Sequence, residues 1–224
     1  MISRRAMLTR SVAAGAVAIL SSESGMGGPQ SVAAQTTASP DEALKRLMEG
    51  NARFRTGRMT SFADDLRLLK QKTSEKQEPF AAVLSCADSR VPVEIVFDQT
   101  IGHVFVTRVA GNVATAEIIG SLEYGVAVLG TRTIMVLGHG SCGAVSATIA
   151  AKDAPGQIST LYRYIRPAVD RAGSDVDAVS RANAQIQAAV LRDSPVISGA
   201  IGQGRLKVVA AHYELASGAV TLLS

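Results

Sequence analysis

Three short apolar runs constrain this chain more than any other feature. They are Phe80–Ser85, Val104–Ala110 and Thr133–Gly138. None alternates cleanly between polar and apolar residues, so a strand formed by any of them needs cover on both faces. Helical stretches lie between and after them: Thr115–Gly130, and "SCGAVSATIAA", opened by Ser141. Strands alternating with helices predict an α/β fold with a parallel sheet covered on both faces. A further helix is predicted at "DEALKRLMEGNARF", which follows Pro40, starts with acidic residues and ends near Gly50. Residues 57–79 predict loop and helix. Residues 158–194 predict helices broken near Gly173, with Ser194-Pro195 as a stop. The end, "RLKVVAAHYELASGAVTLL", predicts two strands around a Ser217-Gly218 turn.

The first residues read differently. "MISRRAMLTRSVAAGAVAILSSES" places a basic start before an apolar run, Ser11–Leu20, and "SVAAQ" follows with a small-residue cleavage site after Ala34. These are the parts of a secretory signal. The run is far shorter than the ~20 residues that span a bilayer. Its Ser-Arg-Arg-x-x-Leu opening resembles a twin-arginine export signal, with Met7 where Phe is usual. The expectation is a cleavable export signal over residues 1–34, a periplasmic location, and one domain over 35–224 with no membrane span.

The 224-residue chain carries 23 basic and 19 acidic residues. Removing Arg4, Arg5, Arg10 and Glu23 with the signal reduces its charge from +4 to +2. No basic stripe remains to track phosphates, so a nucleic-acid partner is not expected. Tryptophan is absent and aromatics make up 4% of the chain, so the core must be aliphatic.

The two cysteines carry the chemistry. Cys86 follows the first apolar run in "AAVLSCADSRVP"; Cys142 lies in "VLGHGSCGAV", three residues past His139. In parallel sheets, ligands bind beyond the carboxyl ends of strands, where both segments fall. Continued extended backbone after the first run would point Cys86, Asp88 and Arg90 the same way. Cys142 is expected in the first turn of a helix, where the dipole favours a thiolate. Two thiolates and an imidazole suit zinc, and three protein ligands leave a fourth position open, as in catalytic sites. In an exported protein a disulfide is the competing reading, and a cysteine nucleophile with a histidine base is another. His103 and His212 lie in or beside strand candidates and read as structural or surface residues.

These motifs resemble those of the β-class carbonic anhydrases. "CADSR" matches that family's Cys-x-Asp-x-Arg motif and "GHGSCGA" its Gly-His-x-x-Cys-Gly-Ala motif. "FDQ", "FVTRVAGN" and "SLEYGVAVLG" fall between them in the family's order, and "LMEGNARF" and "HYELASGAV" flank them. The resemblance implies one zinc per chain on Cys86, His139 and Cys142, beside an Asp88–Arg90 dyad. It further implies an antiparallel edge strand, a homodimer or higher even oligomer, and reversible hydration of carbon dioxide to bicarbonate. Gln77 matches a substrate-side glutamine found in part of the family. Gly140 departs from the usual Ser or Thr, and His103 from a frequent aspartate. A hydrolase of carbon disulfide or carbonyl sulfide on the same scaffold, and a non-catalytic zinc- or bicarbonate-binding protein, are the rival readings. Two thiolates cancel the charge of zinc, so water there should lose a proton less readily than beside three imidazoles, and activity should rise toward alkaline pH.

Overall fold

The structure is a computed structural model, and it describes residues 36–60, 74 and 76–224. The proposed signal and most of the polar stretch 57–79 lie outside the described residues. Helix α1 is Pro40–Arg55. Its start is a capping box: Ser39 Oγ accepts from the Glu42 N–H, and a Glu42 carboxylate oxygen accepts from the Ser39 N–H. There follow β1 Ala81–Ser85, the one-turn α2 Val93–Val96, β2 Val104–Arg108, α3 Ala116–Ala127, β3 Thr133–His139 and α4 Gly143–Ala150. A 3₁₀ turn at Ile158–Leu161 leads into α5 Tyr162–Ala172, then α6 Val176–Arg192, α7 Pro195–Gly202, β4 Lys207–Tyr213 and β5 Val220–Leu223.

The sheet order is β2-β1-β3-β4-β5. The first four strands are parallel, and β5 runs antiparallel to β4. The parallel sheet and its antiparallel edge are thus as expected. Every residue of β1 and β3 is buried, which explains their lack of alternation. Ala82, Leu84, Ile134 and Val136 join the core under α3, α6 and α7. Ala81, Val83, Met135 and Leu137 join the core under α1 and α2. Alternate residues point to opposite faces of a strand, and here both faces are apolar.

Three local expectations are corrected. Helix α1 does not end near Gly50 but continues to Arg55, whereas α6 stops at Arg192, ahead of Ser194-Pro195 as expected, and that pair then opens α7: Ser194 caps it, and Pro195 sits in its first turn, where no N–H is needed. Ser141 does not open α4. It has φ 52, and Cys142 is the cap residue, outside the first turn. Residues 86–90 leave the extended conformation for a turn, closed by the Val91 N–H on Asp88 O at 3.1 Å.

His212 is buried on β4, and neither ring nitrogen has a partner among the described residues. Burial pushes its pKa down to about 4, and Arg181 and His139 act in the same direction against Asp177 and Glu214. The unfolded chain takes up this proton near its ordinary value of 6.5. The folded chain does so only near 4, so stability is fully present above pH 6.5 and is lost as pH falls toward 4. The difference reaches about 3 kcal/mol. Denaturant titrations of zinc-free protein from pH 7 to 4 should show it, and His212→Leu should flatten the profile. An unchanged slope in that variant would contradict the assignment.

Candidate metal centre

The chain passes from β1 to β2 on one side and returns to β3 on the other, so the sheet's switch point lies between β1 and β3. Both motif segments leave the sheet there. Register pairs Ser85 with Leu137, so Cys86, one residue past β1, and His139, the last residue of β3, fall at the same end of the sheet. The Nδ1 or Nε2 of His139 and the sulfurs of Cys86 and Cys142 all lie within 4.8 Å of one another, and all three residues are buried. Both thiols are free, so the disulfide reading fails.

His139 is prepared as a ligand by its own loop. Its Nδ1 lies 2.9 Å from Gly140 O, and a carbonyl only accepts. Nδ1 therefore carries the proton and Nε2 the lone pair. Nε2 is buried without a hydrogen-bond partner, the state expected of a nitrogen awaiting a cation. Ser180 on α6 fixes the backbone: the His139 N–H donates to Ser180 Oγ at 3.1 Å, and Ser180 Oγ donates to His139 O at 2.8 Å. Helix α6 comes this close because residue 138 is glycine. A Cβ there would stand 2.9 Å from Ser180 O.

The thiols share a proton. Cys86 Sγ accepts from Cys142 and from the Gly111 N–H at 3.2 Å, and these bonds hold its thiol well below the usual range despite burial. That same bond and burial push Cys142 up, although the free N–H groups of Ala144 and Val145 at the start of α4 pull the other way. A dication would replace the shared proton and satisfy Nε2 as well. The buried N, S, S donor set fits zinc.

Asp88 and Arg90 meet through the turn rather than through strand alternation. Arg90 Nε donates to Asp88 Oδ1 at 2.9 Å, Nη2 to Oδ2 at 2.7 Å, and the Arg90 N–H to Oδ1 at 2.9 Å. The guanidinium hydrogen bonds hold the Asp88 carboxyl well below the usual carboxylate range. Asp88 Oδ2 is 3.9 Å from His139 Nε2. Arg90 Nη2 also reaches Ser141 O at 3.2 Å, joining the two motif segments. Gln77 is exposed in the irregular segment that precedes β1, whereas Cys86 follows β1, so one chain places them at opposite ends of a strand.

Several contributors escaped the sequence reading. Arg108 at the end of β2 donates Nε to Cys86 O at 3.0 Å and Nη2 to Asp88 O at 2.6 Å. Asp177 accepts from the Ser141 N–H at 3.1 Å, beside the space that the Cβ missing from Gly140 would fill. On α6, Ser180, Asn183 and Gln187 form a buried polar stripe at helical spacing. Polar residues recurring at that period among Val179, Ala184 and Ala188 were the available signal.

The family model for carbonic anhydrase matches residues 81–220, from the start of β1 into β5. Carbonic anhydrase 2 of Mycobacterium tuberculosis is 38% identical over 198 residues, which cover 82% of this chain and 92% of the relative. The Coccomyxa β-carbonic anhydrase, solved in complex with acetazolamide, has a TM-score of 0.64 and is 28% identical. The match covers 80% of this chain and 86% of that one. A tetrameric β-carbonic anhydrase of Sordaria macrospora has a TM-score of 0.67 over 72% of this chain and 89% of that one. At 23% identity, it supports the fold. The span matched by the family model contains both cysteine motifs and the four parallel strands, and by these relatives the chain belongs to the β-class carbonic anhydrases.

Proposed function

We infer that this chain catalyses the reversible hydration of carbon dioxide to bicarbonate and a proton, with zinc held by Cys86, His139 and Cys142. The observation that carries the assignment is the buried His139 Nε2, its lone pair unpartnered, grouped with two free thiols. Bound there, zinc supplies a Lewis acid without redox chemistry that makes water a better nucleophile. The chain supplies the rest. Asp88 is an ionised acceptor fixed in direction by three hydrogen bonds from Arg90, so it can orient a water proton and hold its oxygen toward the substrate. Arg90 keeps that carboxylate from turning onto the metal position. Val113, Val145 and Ile165 pack with both cysteines, surroundings suited to a small apolar gas. The mature chain loaded with zinc should bind about one ion per chain and hydrate carbon dioxide. A zinc-loaded protein without hydration activity would remove the catalytic reading.

The assembly we propose is a homodimer or a larger even oligomer. A second copy is what Gln77 needs to face a substrate, because it lies away from its own chain's cluster. Light scattering that finds a monomer would end that role. We propose no nucleic-acid partner, on the small net charge of the mature chain. Among the described residues, no helix is long and apolar enough to cross a membrane.

The Arg4-Arg5 pair, the short apolar run and "SVAAQ" support export to the periplasm with cleavage after Ala34. Replacing both arginines by lysine should leave unprocessed precursor inside the cell. Normal processing would point to the general secretory route.

A further inference from the structure

Cys86 receives a hydrogen bond from the backbone as well as from Cys142. The Gly111 N–H donates to its sulfur at 3.2 Å. Gly111 sits in the turn after β2, with φ 77 there and φ 43 at Asn112, and the Asn112 N–H closes the turn on Val109 O at 2.9 Å. Backbone bonds from the Val109 N–H to Ser85 O and from the Ala87 N–H to Val109 O anchor the near side of this turn. It is held from the far side by α6. Asn183 Nδ2 donates to Gly111 O at 2.8 Å, and Gln187 Oε1 accepts from the Ala114 N–H at 2.9 Å. Gln187 Nε2 then donates to Asn183 Oδ1 and to Tyr164 O, both at 3.1 Å. The backbone partners dictate both amide orientations, because Gly111 O and Tyr164 O only accept and the Ala114 N–H only donates. Both side chains are buried, so neither can exchange these bonds for water.

We propose that Asn183, braced by Gln187, is a positioning residue that keeps the Gly111 N–H on the sulfur of Cys86 and so tunes that thiolate as a metal donor. The proposal rests on the reading that Cys86 ligates the metal. An N–H donor withdraws electron density from a thiolate. Two thiolates otherwise cancel the charge of a dication, so this hydrogen bond restores part of its pull on water. Outer partners of this kind orient ligands and set their basicity, and losing one typically costs about 10–100-fold in metal affinity.

The test uses the full chain with cobalt(II) in place of zinc, read by its thiolate-to-cobalt charge-transfer absorption. In Asn183→Leu the turn is released, the sulfur becomes richer in electrons, and the band should move to longer wavelength. Ser194→Ala, which removes a helix cap far from the metal, serves as a destabilised control whose band should not move. If Asn183→Leu does not fold, Gln187→Met takes its place under the same criterion. A folded variant that keeps the wild-type band overturns the proposal. A wild-type cobalt protein with no thiolate band would instead overturn ligation by Cys86.

Discussion

Replacing Cys86 with alanine should yield a folded protein that holds almost no zinc and has lost hydration activity by orders of magnitude. Three side chains make the donor set, and removing one leaves an imidazole and a single thiolate. The loss of affinity should exceed the ~100-fold that follows removal of an outer partner. The fold should survive, because the change deletes one sulfur from a buried site at a cost of about 1 kcal/mol. Cys86→Ser should behave alike, since a neutral hydroxyl is a poor substitute for a thiolate. Metal analysis, circular dichroism and a hydration assay on the same preparation separate the cases. A Cys86→Ala protein with full zinc and full activity would refute the ligand assignment.

Arg90→Ala should do the opposite in part: zinc stays and activity falls, by about 10²-fold, the usual cost of a misplaced catalytic group. Arg90 is half exposed, and exposed ion pairs contribute little to stability, so the fold should tolerate the change. Its effect lies in direction. Without the guanidinium, Asp88 loses two of its three hydrogen bonds from residue 90 and keeps only the one from the backbone N–H. Its carboxylate oxygen already lies 3.9 Å from His139 Nε2, so a side-chain rotation lets it compete for the same ion. The deficit should deepen below neutrality, where neutral water displaces a carboxylate less well than hydroxide does. Asp88→Asn removes that competitor along with the ionised acceptor, so it should lose activity without the steeper acid limb. An Arg90→Ala protein with undiminished activity across the pH range would refute this account of the pair.

What the sequence made legible depended on range. Strands β1 and β3 announced themselves because burial on both faces leaves an uninterrupted apolar run. The metal trio was legible because cysteine and histidine are scarce here and fall at the ends of those runs. Pairing of Asp88 with Arg90 was anticipated, but for the wrong geometric reason: a turn brings them together, not strand alternation. The capping role of Cys142 and the start of α7 at Ser194 were hidden by one-residue differences that only backbone angles settle. Arg108, Ser180, Asn183 and Gln187 were out of reach for another reason. Each acts through a backbone group of a residue 20 or more positions away in the chain, and a peptide N–H or C=O leaves no mark on the identity of its own residue.

The pairing of β1 with β3 has a consequence for the order of events in a newly made chain. Zinc sites whose ligands are all close neighbours in sequence can close around the ion early and pull the chain into shape. Here Cys86 waits for a histidine 53 residues downstream, and only the strand ladder brings them together. Sheet pairing supplies the contacts that offset the entropy of closing so long a loop, so the donor set is expected to form without the ion. Its contribution to stability grows with free zinc by mass action, and stripping it with a chelator should leave the far-ultraviolet circular dichroism unchanged.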